Sequence, residues 1–390
     1  MRVTALRAAR VFDGTRLVDH PTVVLDRGHV VATGVDVPGA VDLGDVTVLP
    51  GMIDVHVHLA FDAGTDPVGA LAARTPDEVR AAMADAARRH LRAGVTTVRD
   101  LGDPDYLSLS LRGDPDLPTI VAAGPPVTTL DGHCHFLGGA VAPGPAAVRA
   151  AVRERAERGC DVVKIMASGG TMTKGTAQHL PQFEVAELRA AVDEAHRHGL
   201  PVVAHAHATA GIEAALAAGV DGLEHVSFWT ADGIDDRPDL IDEIARRQVA
   251  VGASIGAAPL SDADRAAVLL AEPDRAEVFA RVPKIMAVYR RLIEAGAVVV
   301  AGTDAGIGPA KQHPSLPNAV PQLVGLGMTP LDALRAVTSV AAEVCGLAGR
   351  KGRLAPGFDA DLVVVAGDPL TDPAAVHDVE AVYRKGRTVA

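Results

Sequence analysis

The chain has 390 residues, 48% of them hydrophobic, which suffices for one large core with a smaller unit attached, or for two ordinary domains, and excludes a small stapled scaffold. Its 37 basic and 49 acidic side chains leave a net charge of −12. That charge repels phosphate backbones and anionic lipid, which argues against nucleic acid and membrane surfaces as partners and leaves a small-molecule substrate, with a homo-oligomer compatible with the same numbers.

Residues 1–50 read as short strands divided by turns, since ALRAARVFDG, HPTVVLDRGHVVATG and AVDLGDVTVLP all close in Gly, Asp or Pro. The opening MRVTALRAARVFDG carries arginines but neither the apolar stretch nor the small-residue cleavage site of a signal peptide. No segment approaches the roughly 18 apolar residues of a membrane span. From Gly51 to about residue 350 the texture changes to β-rich runs alternating with alanine-rich helical stretches, the pattern of βα units on a parallel sheet. Eight candidate strands follow in series: MIDVHVH, VTTVRD, TIVAAG, DVVKIMA, PVVAHAH, GLEHV, VAVGAS and AVVVAGTD. The helices between them have proper ends, as in PQFEVAELRAAVDEAHRHG, where acidic residues come early and Gly199 follows the last turn. An open doubly wound sheet would use the same units, but no GxGxxG follows the first strand, so the expected fold is a (β/α)8 TIM barrel. Residues 351–390 return to strand-like runs, DADLVVVAG and VEAVYRKGRTV. The economical arrangement joins 1–50 and 351–390 in one small β-sandwich domain built from both termini, with the barrel of residues 51–350 inserted between them.

Cys134, Cys160 and Cys345 are an odd number without CxxC spacing, so neither a disulfide framework nor a sulfur-ligated zinc site is expected. A reducing, cytoplasmic location fits this usage.

Residues i and i+2 of a strand share a face, so His56 and His58 in IDVHVHL point together near the C-terminal end of the first barrel strand. Such barrels keep their chemistry at that mouth, and the other ligand-type residues also fall at strand ends: Lys164 in DVVKIM, His205 in PVVAHAH, His225 in GLEHV and Asp304 closing AVVVAGTD. A lone buried histidine is more often a packed core residue than a ligand. Six ligand-type residues at strand ends, none within a helix, reverse that reading. Lys164 needs a chemical reason, because desolvation disfavours a bare ammonium in an apolar strand.

The stretches PGMIDVHVHL, GVTTVRDLG, DVVKIMASGG, VVAHAHATAGIEAALAAGVDGLEHV, AGTDAG and KGRLAPGFDADLVVV, in this order, resemble the amidohydrolase superfamily over almost the whole chain. VRDLG, KIMASGG and the AHAH segment are most similar to its prolidase-like, imidazolonepropionase-related branch. That resemblance implies a carboxylated strand-four lysine bridging two divalent metals, usually zinc. His56, His58 and Asp304 would hold one ion, His205 and His225 the other, and carboxylated Lys164 would join them. A carbamate is an anionic oxygen ligand, which removes the difficulty of a buried cation. Two zinc ions sharing a hydroxide would acidify water towards neutrality. Asp304 would accept the proton as the hydroxide attacks and pass it to the leaving nitrogen or oxygen, so Asp304 and Lys164 are the expected catalytic residues.

Around this centre, His207 shares a face with His205 and could contact substrate, though plain packing suits it equally. His133 and His135 lie in LDGHCHFLGG after the third strand, and the resemblance favours His133 as the substrate contact. Trp229, the only tryptophan, and Phe228 follow His225 and could line the pocket, as could the glycine-rich ASGGTMTKGT. Cys134 lacks the positioned base that a nucleophilic thiol needs. Arg99 is better placed for an internal pair with Asp100 or another barrel carboxylate than for a substrate carboxylate. His196 and His198 read as helix-end residues, and His20, His29, His90, His179, His313 and His377 as surface residues. Relatives that cleave dipeptides usually carry a tyrosine after the sixth-strand histidine, whereas this chain reads EHVSFW, so amides, carbamates, ureas, lactones and esters come forward as substrates. Two rivals remain. A mononuclear aminohydrolase of heterocycles generally lacks the lysine that is present here, and a non-catalytic scaffold would have lost ligand positions that are intact here.

Overall fold

The computed structural model describes residues 3–271 and 275–390. Eight strands form its centre: β1 Met52–Val57, β2 Val95–Asp100, β3 Thr119–Ala122, β4 Val163–Met166, β5 Val202–Ala208, β6 Gly222–Thr230, β7 Ala250–Ser254 and β8 Val299–Gly302. β1 to β3 pair in parallel, as do β4 to β8. Two parallel bridges join these sheets into a ring, Val127 to Ile165 on one side and Val57 to Ala305 on the other. Backbone bonds carry both seams, with Val127 N–H donating to the Lys164 carbonyl at 2.8 Å and His58 N–H to that of Ala305 at 2.9 Å. The Asp54 carboxylate fastens the second seam by accepting from the Thr303 hydroxyl at 2.7 Å, and burial pushes its pKa up to about 7. The chain is a (β/α)8 barrel, and all eight expected strand segments lie in its ring.

Helices cover the outside: α1 Pro76–Arg92, α2 Pro145–Arg158, α3 Val185–Arg197, α4 Thr209–Ala218, α5 Pro238–Arg247, α6 Asp262–Ala271, α7 Arg275–Glu294 and α8 Leu316–Gly325. α1 starts where Thr75 and Glu78 cap each other's backbone N–H groups and Pro76 occupies the first turn, where no amide donor is needed. At the start of α3 the Glu187 carboxylate accepts from the Glu184 N–H at 2.9 Å. No helix among the described residues is long and apolar enough to cross a membrane.

Both chain ends build the small β domain. Val46–Pro50 pairs antiparallel with Leu362–Ala366, Val48 opposite Val364, and the sheet extends through Val379–Arg384. A second sheet, from Thr4–Arg7, Thr22–Asp26, His29–Thr33 and Val41–Asp42, lies against it. The period of two divides the shared strands cleanly. Val46, Val48, Leu362 and Val364 join the small core with Leu6, Val23 and Leu25, while Leu49, Val363 and Val365 turn the other way into the barrel's core. The sheet is thus apolar on both faces, which binds the small domain to the barrel.

The histidine expectations need a correction. His90 and His313 are buried, with His90 Nε2 2.9 Å from His313 Nδ1, and His179 is half-buried. His90 lies on the inward stripe of α1 with Val79, Met83 and Ala87, so a helical period places it inside.

Candidate active site

The barrel mouth gathers His56, His58, His133, Lys164, His205, His207, His225 and Asp304 around one small cavity of about 40 Å³. His56 lies near the end of β1 and His58 directly follows it, and the backbone seam to β8 brings Asp304 against them, with Asp304 N–H donating to the His56 carbonyl at 2.7 Å. Nε2 of His56 lies 3.2 Å from Nε2 of His58, and Asp304 Oδ1 is 3.5 Å from the first and 3.3 Å from the second. A second group, His205, His207 and His225, also holds its ligand atoms within 4.8 Å of one another. His207 stacks on His225 with ring centroids 4.3 Å apart, which puts it inside this group rather than beside it.

Outer contacts settle which imidazole nitrogen faces inward. His56 Nδ1 is 2.8 Å from Glu224 Oε2, and Glu224 Oε1 in turn accepts from Arg99 Nη2 at 2.9 Å. Because a carboxylate only accepts, His56 donates through Nδ1–H and keeps the Nε2 lone pair for the cavity. His225 Nδ1 lies 2.6 Å from Ser254 Oγ and His207 Nδ1 2.7 Å from Ser227 Oγ. His205 uses Nε2, 3.1 Å from the Gly169 carbonyl, and so presents Nδ1. Burial lowers the pKa of His56 to about 4 and of His133 and His207 to about 3, leaving neutral rings at physiological pH. Burial would raise Asp304, but the Lys311 ammonium 2.8 Å from Oδ2 and the adjacent His56 outweigh it and hold the carboxyl well below its usual range.

Lys164 is buried, and its Nζ has no hydrogen-bond partner. Burial lowers its pKa to about 8, against the pull of Glu224 and Asp304, so a fraction of the amine is neutral and nucleophilic near physiological pH. Neutral imidazoles, a carboxylate and an orphaned amine form a donor set that fits divalent metal ions.

Of the outlying candidates, His133 packs its ring 4.7 Å from His205, and its buried Nδ1 has no partner. Gly170 leaves it room, since a Cβ there would collide with the imidazole. Trp229 is buried, edge-on to His207 at 6.5 Å, with the Arg281 guanidinium 4.1 Å over its ring. His135 folds back to the Gly132 carbonyl at 2.9 Å and does not line the cavity. Burial raises the Cys134 thiol to about 12, which suits packing and not nucleophilic attack.

Sequence reasoning missed Glu224, the carboxylate that Arg99 serves, and Lys311, which pairs with Asp304 from the loop after β8. It also passed over the glycines that make the space. A Cβ at Gly252 would strike the Glu224 carboxylate, and one at Gly302 would crowd His56. The signal for both lay in single glycines within otherwise apolar strands.

Comparison with known proteins places these residues in context. The model of the amidohydrolase family matches residues 47–389. Ochratoxinase of Aspergillus niger is 29% identical over 373 residues, spanning 86% of this chain and 73% of the relative. Among solved structures, a Xaa-Pro dipeptidase with methionine bound in its active site superposes with a TM-score of 0.83 at 25% identity over 99% of both chains. A prolidase complexed with N-methylphosphonate-L-proline gives 0.84 at 28% identity, over 100% of this chain and 99% of the other.

Proposed function

Because the chain belongs to the amidohydrolase family and is a hydrolase acting on carbon–nitrogen bonds, we propose that it cleaves an amide-type bond, or a related carbamate or ester bond, of a small molecule at a pair of divalent ions, zinc by preference. His56, His58 and Asp304 would hold one ion and His205 and His225 the other, with Lys164, as a carbamate, supplying further oxygen donors to the pair. The observation that carries the reading is the Lys164 amine, buried without a partner in a cavity that both ligand groups line. Its neutral form attacks carbon dioxide, forms an N–C bond and releases a proton, and the product is an anion with two oxygen donors. When bound, the ions supply Lewis acidity, which acidifies water and polarises the scissile carbonyl.

The protein's own groups do the rest. Asp304 takes the proton of the attacking water and returns it to the departing nitrogen, a base role followed by an acid role. Its low pKa keeps it ionised and ready as the base. His133, neutral and with one ring nitrogen unpartnered, donates an N–H to the carbonyl oxygen as negative charge develops there. Glu224 and Arg99 keep His56 in the tautomer that a ligand needs, and the Ser254 hydroxyl, which can accept from Nδ1–H, holds the orientation of the His225 ring.

Two of the similar proteins are described as dipeptidase and prolidase. In this chain His225 is followed by Val226, Ser227, Phe228 and Trp229, with no phenol to receive a free peptide carboxylate, which favours amides other than dipeptides. The test is metal content by mass spectrometry on protein purified with bicarbonate and without chelator, together with turnover of an amide, carbamate and ester panel. About two ions per chain and a chelator-sensitive rate are expected. About one ion, with heterocycle deamination, moves the assignment to the mononuclear mechanism, and metal-free protein without turnover overturns it.

A further inference from the structure

We propose that the substrate of this site carries a bulky apolar group of aromatic size, which lodges in a second cavity between α7 and the barrel mouth. The inference rests on the hydrolase reading above and adds the chemical class of the group recognised. The cavity measures about 380 Å³ and opens on His207, His225 and Asp304, so a molecule held at the catalytic groups extends directly into it. This volume is in the range of about 300–1,000 Å³ typical of small-molecule sites.

One side of the cavity is a helical stripe. Val278, Val282, Ile285 and Met286 recur on α7 at spacings of three and four, which puts them on a single face. Such a stripe normally vanishes into a core. Here none of the four is fully buried: Ile285 and Met286 pack partly against the barrel core, and Val282 is 40% exposed. Trp229 lines the same space. The wall is held in place, because Arg281 covers the Trp229 ring and donates to the Thr230 and Gly233 carbonyls at 3.2 and 3.0 Å, tying α7 to the end of β6. Apolar surface left facing water is unfavourable, and an apolar ligand group removes it from water.

Charge narrows the class further. Asp304 is the only acidic residue among the described lining residues, and it is already paired with Lys311. Nothing else in the lining offers an anion to an ammonium group, so amine-bearing side chains are disfavoured. An aryl or branched alkyl group on the acyl or the amine half of the substrate fits.

The test compares acetate with 4-phenylbutanoate as ligands of the metal-loaded protein by isothermal titration calorimetry. The carboxylate is common to both, so the ratio reports the apolar group alone. At about fourfold per buried methylene, 4-phenylbutanoate is expected to bind at least about tenfold more tightly. Val282→Trp fills the cavity from an exposed position on α7, and Val278→Trp does so one turn earlier. In whichever variant keeps the wild-type melting temperature, the ratio is expected to fall below about threefold. Equal binding of the two acids, or a preference that survives the tryptophan, overturns the proposal. Hydrolysis is read separately on acetyl and 4-phenylbutanoyl anilides. Chelator-sensitive turnover with equal kcat/KM for both sinks the substrate class alone, whereas tight apolar binding without turnover of any amide supports the pocket and sinks the hydrolase reading.

Discussion

Replacing Glu224 by glutamine tests whether the outer contacts of His56 govern the proposed metal site. The carboxylate serves two buried donors at once, Arg99 Nη2 at 2.9 Å from Oε1 and His56 Nδ1 at 2.8 Å from Oε2. Glutamine keeps one acceptor oxygen and turns a donor towards the other partner. Either way round, the buried Arg99 guanidinium loses its counter-charge, at a cost of about 3–5 kcal/mol, and with the amide nitrogen towards Arg99 it also faces a donor. With roughly 2.1 cal/mol/K of unfolding entropy per residue over 390 residues, that lowers Tm by about 4–6 °C. If the amide nitrogen meets His56 instead, Nδ1 must accept, the proton moves to Nε2, and the atom facing Asp304 can no longer bind metal. Loss of such an outer partner costs about 10–100-fold in metal affinity. Differential scanning fluorimetry reads the lost charge, and competition with a chromophoric chelator reads the tautomer of His56. A Glu224→Gln protein that melts within about 1 °C of wild type and binds metal within about twofold would refute the reasoning.

Lys164→Arg keeps the charge but cannot form a carbamate, because the guanidinium holds its proton above about pH 12. Loss of bound metal by mass spectrometry and of chelator-sensitive turnover is expected, and a loaded, active variant would rule the carbamate out. Asp304→Asn removes the proton carrier and is expected to lower kcat by about 10²–10⁴-fold with an unchanged circular dichroism spectrum. Near-normal turnover would reassign the base. In the small domain, burial raises the Asp359 carboxyl, but the Lys351 ammonium 3.0 Å away outweighs it and holds the pKa below 3.8. A depressed folded pKa stabilises the protein above the unfolded value, and that stability is lost as pH falls through the folded one. The fall in Tm below pH 3.8 should therefore be shallower in Asp359→Asn than in wild type, and parallel curves would count against the pairing.

Strand order and the ligand types at strand ends could be read directly, because both rest on short-range rules. A strand shows its residues alternately to two faces, so His56 and His58 declare themselves as a pair. A parallel barrel keeps its reactive residues at one mouth, which makes Lys164, His205, His225 and Asp304 candidates, and one cavity brings the four together, although Lys164 is the second residue of β4 and not its last. The joining of the two chain ends is likewise visible as strand texture returning after residue 351, now expressed in Val48 opposite Val364.

Glu224 escaped for a physical reason. It immediately precedes His225, and strict alternation would send one of the two outward. The strand departs from alternation here: His225, Val226 and Phe228 have φ of 74°, 46° and 49°, in the left-handed region that side chains disfavour. The irregular backbone lets neighbouring side chains both serve the barrel interior, His225 at the mouth and Glu224 one layer deeper against Arg99 and His56. Asp304, at φ 58°, is bent in the same way beside Lys311. Such conformations cost about 1–3 kcal/mol each and persist where surrounding contacts hold them. At β6 those contacts are the Ser254 hydroxyl on His225 and the Asp235 N–H bonded to the Phe228 carbonyl at 2.8 Å. Periodicity fails at β6 because the left-handed backbone at His225, Val226 and Phe228 breaks the alternation, and the α7 stripe fails it differently. Its spacing correctly marks an apolar face, but whether that face meets a core or a cavity depends on how far the helix stands from the barrel, which Arg281 and Trp229 set from outside the stripe.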